Sequence, residues 1–178
     1  MQNINVRLAT AADAEKIYNV QKEAWMCTYI SLANSVTEHD IVEEFHDSKR
    51  DARIGRFTEM LKLQEYDFAT CEDVQYVTEL DGQIVAFTHY KRSSNHLHAI
   101  YVVPTAQGKG IGSMLMAQVE ADLSAAPEIT LSVATYNTKA ISFYEHKGFV
   151  LIPHSEDSYL LPTGVKIPTI KMVRKKVA

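Results

Sequence analysis

The stretch Gln107-Gly108-Lys109-Gly110-Ile111-Gly112-Ser113 constrains this chain more than any other, because of what flanks it. Before it, the run Leu97 to Val103 reads as a strand that Pro104 ends. After it, Ile111, Leu115, Val119 and Leu123 recur along one helical stripe. Strand, glycine-rich loop and helix in that order make the layout of an anion site. Glycines let backbone N–H groups approach an anion without Cβ interference, and a helix start adds unpaired donors and about half a positive charge. A pyrophosphate fits such a loop, although a tight turn without a ligand uses the same letters. The glycines at 108, 110 and 112 do not make GxGxxG, and Gly110 follows Lys109 where a P-loop needs Ser or Thr. Rossmann-type dinucleotide binding and nucleotide hydrolysis therefore lose support.

The flanking sequence places this unit in an α/β domain. Val6 to Ala9 predicts a strand, and Thr10-Ala11-Ala12-Asp13 is a helix-start signal ahead of Ile17, Val20 and Ala24. Thr37-Glu38-His39-Asp40 repeats that signal, and Ile54, Phe57 and Leu61 mark a further amphipathic stretch. Val74–Leu80 and Ile84–Tyr90, joined across Asp81-Gly82, predict a β-hairpin. A second strand–helix unit runs from Ile129 to Thr135, then from the N-cap residue Asn137 to Lys147, with Gly148 as its stop. Phe149 to Ile152, a loop with Pro162 and Gly164, and Lys166 to Val173 close the chain. Pro168 removes a backbone donor and predicts an edge strand there. At 178 residues, without internal repeat or linker, residues 1–178 read as a single domain.

Composition narrows the partners. No run approaches the roughly eighteen apolar residues of a membrane span, and the first residues lack a signal-peptide pattern, so a cytoplasmic protein without membrane contact is expected. A net charge of −4 gives no global reason to bind nucleic acid, and Arg174-Lys175-Lys176 reads as a short solvated tail. Cys27 and Cys71 lie outside any CxxC pattern and read as reduced thiols.

Gln107-x-x-Gly110-x-Gly112 resembles the acetyl-CoA pyrophosphate loop, Q/R-x-x-G-x-G/A, of the GCN5-related N-acetyltransferases (GNAT). About 25 residues on, Asn137-x-x-Ala140-x-x-Phe143-Tyr144-x-x-x-Gly148-Phe149 is similar to that family's second block. The resemblance implies a mixed central sheet of six to seven strands with helices on both faces. It implies that strands near 97–103 and 129–135 splay apart, so that the cofactor arm lies in the gap like an added strand. Acetyl-CoA is then the co-substrate, held by Ile100, Tyr101, Val102, Gln107, Gly108, Lys109, Gly110, Ile111, Gly112, Ser113 and Asn137, with the Val102 amide facing the thioester carbonyl. Tyr144 is the implied general acid and also touches the cofactor. No metal is required.

Tyr144 follows Asn137 by two helical turns, so both face one ligand. Full proton transfer from a phenol near pKa 10 to a thiolate near about 8.5 is uphill by roughly 2 kcal/mol, so hydrogen bonding to the developing charge suffices. Packing beside Phe143 is the plainer reading of Tyr144. Many relatives carry a glutamate base where this chain has His96 and Ser132. His96 and His98 alternate with Ile100 and Val102 onto one strand face and become the candidate bases, alongside water. This His-x-His strand is also similar to that of arylalkylamine N-acetyltransferases. His89 reads as structural. Trp25 and Tyr29 are candidate acceptor-lining residues, with Trp25 equally suited to a core, and Glu23 and Asp40 read as solvated acids. The expected activity is direct acetyl transfer to a primary amine on a small molecule, peptide or protein. A non-catalytic acyl-CoA-binding module is the competing reading, and a homodimer is left open.

Overall fold

The computed structural model describes residues 3–176. Eight strands form one sheet: β1 (Ile4–Leu8), β2 (Asp73–Leu80), β3 (Gln83–Lys91), β4 (His96–Val102), β5 (Glu128–Ala134), β6 (Val150–Leu151), β7 (Asp157–Leu160) and β8 (Lys166–Lys175). The order is β1-β2-β3-β4-β5-β8-β6, with β7 also paired to β8. Only β4 and β5 run parallel. The helices are α1 (Ala14–Thr28), α2 (Glu38–Glu44), α3 (Asp47–Tyr66), α4 (Ile111–Asp122) and α5 (Thr138–His146). The sheet is mixed, as expected, but holds one strand more than anticipated. The extra one is β7, four residues too short to show an alternating pattern.

Local chemistry sets the boundaries. The Asp13 carboxylate accepts from the Thr10 amide and hydroxyl, both at 2.9 Å, and takes a bidentate pair from Arg7 at 2.7 and 3.0 Å, tying β1 to the start of α1. Asp40 closes the same reciprocal cap with Thr37 at α2 and accepts from Thr163 at 2.6 Å. It is a buried capping group, and not the solvated acid expected. The β2–β3 turn places both Asp81 (φ 51°) and Gly82 (φ 82°) in the left-handed region, matching a two-residue hairpin turn.

Phe87 and Tyr90 lie an odd number of residues apart on β3 and point to opposite faces. Phe87 meets Phe57 of α3, with ring centroids 6.2 Å apart, while the Tyr90 hydroxyl donates to Asp122 at the end of α4, at 2.9 Å. Helices therefore cover both faces.

Two expectations about the C-terminal region are corrected. Strand β8 is interior, with β5 on one side and β6 and β7 on the other. Pro168 is tolerated because its missing donor falls where β5 ends: the Thr135 amide donates to the Pro168 carbonyl at 3.0 Å, and the return bond has no N–H. Arg174 and Lys175 belong to β8, and Arg174 pairs with Glu120 at 2.5 Å, so this basic segment is no free tail.

Candidate active site

The site follows from where β4 and β5 part. They pair only at His96↔Thr130 and Leu97↔Leu131, after which the strands separate. The Val103 amide donates to Val85 on the β3 side at 2.9 Å, so by alternation the Val102 N–H and C=O face the gap. Backbone groups there lack a neighbouring strand and are available to a ligand. The cleft encloses about 770 Å³, lined by residues of β4, β5, the glycine loop, both N-terminal ends of α4 and α5, and the end of α1.

The loop has the backbone its glycines allow. Gly108 and Gly110 sit at φ 76° and 78°, and a Cβ on either would meet no protein atom within 4 Å. Both point into open space, so an added side chain would not enter the core. Gly110 also caps α4. Gly112 differs, since its Cβ would make ordinary contact with the Phe143 ring at 3.6 Å, where α4 and α5 touch. The Gln107 side-chain Nε2 donates to the Val102 carbonyl at 3.1 Å, bracing the loop against β4. Lys109 lies outside the cleft lining, while Gln107, Gly108, Gly110, Ile111, Gly112 and Ser113 line it. This set of amides, gap and helix start fits a phosphate-bearing, extended acyl carrier.

Asn137 and Tyr144 both reach the cleft from α5. Asn137 Oδ1 accepts from the Ala140 amide at 3.1 Å, capping the helix and leaving its Nδ2 for a ligand. Tyr144 is buried, yet its hydroxyl has no hydrogen-bond partner among the described residues. Burial, and then the neighbouring Tyr29, push this phenol well above its ordinary range. It is therefore a neutral donor, and full proton transfer from it is steeper than an ordinary phenol would suggest.

One wall of the cleft is aromatic. Ile100, Tyr101, Val102 and Tyr29 line the cleft, and the Tyr29 and Tyr101 hydroxyls lie 3.1 Å apart. Burial pushes Tyr101 up to about 12. Trp25 is not in the lining: it is buried behind Tyr29 against Phe45 and Tyr159, so its core reading is the one observed. Cys27, Thr28, Ser132 and Tyr136 complete the wall. Tyr136 donates to the Tyr29 carbonyl at 2.8 Å, linking the end of β5 to the end of α1. Only its place beside Asn137 could have flagged it.

The strand that carries the histidines departs from simple alternation. The β3–β4 register shifts between His89 and Tyr90, which pair with Ala99 and Leu97, leaving His98 as the extra residue of a bulge. His98 stays on the face of His96 and His89, and the extra residue reverses the alternation beyond it, so that Ile100 and Val102 face the other way. The His98 ring stacks on His89 and meets His96 edge-on, with centroids 4.8 Å apart in each case. His98 lines the cleft; His96 does not, and its Nδ1 lies 2.9 Å from the Thr130 hydroxyl. Partial burial, with the charges His89 and His96 would carry, lowers His98 to about 4. Burial, then Lys171, lowers His96, and burial lowers His89 despite its 3.0 Å contact with Asp73. All three are neutral near pH 7.

Comparison with known proteins agrees with this geometry. The acetyltransferase (GNAT) family model matches residues 38–149. Peptidyl-lysine N-acetyltransferase YjaB of Salmonella typhimurium is 39% identical over 64 residues, covering 36% of this chain and 42% of that protein. YiaC of Escherichia coli, named for the same activity, is 33% identical over 91 residues, covering 51% and 60%. The chain thus spans about half the length of the curated relatives it matches. The PaiA N-acetyltransferase of Thermoplasma acidophilum, solved in complex with coenzyme A, superposes with a TM-score of 0.77 at 22% identity over 98% of this chain and 99% of that one. YncA of Salmonella typhimurium, solved with acetyl-CoA, gives 0.65 at 18% identity over 97% and 93%. The splayed strands, the glycine loop and the Asn137–Tyr144 helix thus sit in the fold of known acetyltransferases, and this chain belongs to the GNAT acetyltransferase family.

Proposed function

We propose that this protein transfers the acetyl group of acetyl-CoA to a primary amine by direct attack, and that the acceptor is a lysine side chain of a peptide or protein. The observation that carries the reading is the gap between β4 and β5, which leaves the Val102 amide unpaired beside a loop of ligand-ready amides. Acetyl-CoA supplies the thioester; this chain supplies its placement. The loop from Gln107 to Ser113 and the Asn137 amide hold the carrier, and the Val102 N–H offers a donor to the carbonyl oxygen. Tyr144, buried and without a hydrogen-bond partner among the described residues, donates a hydrogen bond to the leaving sulfur.

His98 is the cleft histidine, and it takes the proton from the attacking amine and passes it to water. Its low pKa makes it a relay and not a proton store. His96 supports its ring from outside the cleft. Tyr29 and Tyr101 form the wall against which the acceptor's alkyl stem lies. The lysine acceptor rests on the names of YjaB and YiaC and on a cleft open enough to admit an extended side chain.

Thiol release from acetyl-CoA, measured against a lysine peptide, a polyamine, an arylalkylamine and a free amino acid, tests this directly. Turnover should be fastest with the peptide. Acetyl-CoA binding without turnover on any amine would replace the enzyme with an acyl-CoA-binding module.

A further inference from the structure

We propose that Asp73, His89 and His98 form a binding site for one divalent ion of the zinc class, and that an ion held there withdraws His98 from the cleft. The second half rests on the function proposed above; the first does not. Three adjacent strands, β2, β3 and β4, each contribute one donor to the same sheet face. Asp73 Oδ1 already lies 3.0 Å from His89 Nε2, His98 stacks on His89 at 25° between planes, and one donor atom from each residue lies within 4.8 Å of the others.

The β3–β4 register seats His98 beside His89: Lys91 pairs with His96 and Tyr90 with Leu97, and His98 is the unpaired residue that follows. Two imidazoles and one carboxylate form a mixed nitrogen–oxygen set that favours Zn²⁺ and its neighbours over Mg²⁺ or Ca²⁺. Bonds of about 2.0–2.1 Å to a tetrahedral ion place donor atoms roughly 3.4 Å apart. Asp73 and His89 are within that spacing, and only the solvent-open His98 ring has to close in. The hydrogen between Asp73 and His89 gives way as the His89 proton moves from Nε2 to Nδ1, and the fourth position falls to water.

A buried neighbour points the same way. Gln75 stands directly opposite His89 in the β2–β3 register, fully buried, with neither amide atom hydrogen-bonded among the described residues. Such an orphaned carboxamide beside a His–Asp pair is suited to orient a ligand or its water.

The test is calorimetric titration of chelator-treated, full-length protein with Zn²⁺, with Co²⁺ absorption as the report on geometry. One ion per chain with tetrahedral cobalt bands is expected, and Asp73→Asn, His89→Gln and His98→Gln should each weaken binding at least tenfold, while His96→Gln leaves it unchanged. Asp73, at the strand end and half-exposed, gives a folded variant even where His89→Gln does not fold. No saturable binding, or binding that survives all the ligand substitutions, overturns the site. Where turnover exists, Zn²⁺ should inhibit the wild type and spare Asp73→Asn, whose metal-free rate is unchanged. Equal inhibition of both overturns the withdrawal of His98 while leaving the calorimetric result to decide the site.

Discussion

Asn137 Oδ1 and the Ala140 amide lie 3.1 Å apart, so one side chain both starts α5 and faces the cleft. The two duties separate by substitution. Asn137→Ala should lower stability by about 1 kcal/mol, the usual value of an N-cap, and weaken acetyl-CoA binding. Asn137→Asp keeps an acceptor for Ala140 but loses the Nδ2 donor. Its chemical melt should match the wild type while its acetyl-CoA affinity falls, as calorimetry can show.

Tyr144 contributes a hydroxyl with no hydrogen-bond partner among the described residues. Tyr144→Phe should therefore leave the unfolding midpoint within experimental scatter. Turnover should fall about a hundredfold, in kcat and with little change in KM, as for loss of an acid acting on the leaving group. A loss of stability without a loss of kcat would return Tyr144 to a packing role.

The glycines of the loop should not respond alike. Gly110→Ala forces a Cβ into the left-handed region at φ 78°, at about 1–2 kcal/mol, on the loop proposed to hold the carrier. Gly112→Ala meets Phe143 only at ordinary contact distance and gains helix propensity of about 1 kcal/mol. Thermal melts with and without acetyl-CoA should show the first variant losing ligand-induced stabilisation and the second keeping it.

Asp13 gives the pH dependence. Burial raises its pKa, but the Arg7 guanidinium and the two Thr10 donors outweigh that and hold it at about 2. A carboxylate depressed in the folded state contributes stability that is full above about pH 4 and fades as pH falls towards 2. Asp13→Asn should cost about 2 kcal/mol in urea at pH 7, the scale of a charged hydrogen-bonded pair. The gap from the wild type should narrow when the same titration is run near pH 2.5.

What was legible in the sequence was local. The caps at Thr10, Thr37 and Asn137, the Asp81-Gly82 turn and the left-handed Gly148 depend on neighbours within a few residues, and each formed where its letters placed it. The glycine loop and the Asn137–Tyr144 helix were legible for the same reason. Three things were not. The bulge at His98 depends on how β3 and β4 pair, and a strand read alone shows only period two. Trp25 lies on the buried side of α1 because α2 and β7 close over it, and the sequence of α1 does not contain those neighbours. The interior place of β8 hides behind Pro168, whose usual meaning fails when the missing donor falls at a partner's end.

That arrangement of β8 also governs assembly in time. Strands β5, β6 and β7 leave the ribosome before the strand that binds all three. Until it arrives, β5 offers an open edge on one side and the diverging cleft on the other, so this half of the sheet cannot be completed during synthesis of its own strands. The hairpin β2–β3 and its neighbour β4 have no such delay, since each pairs with a segment already made. Folding should thus proceed from the amino-terminal half, with the cleft taking shape last, and chains interrupted before residue 166 would carry the glycine loop on a half-sheet with nothing to brace its far wall.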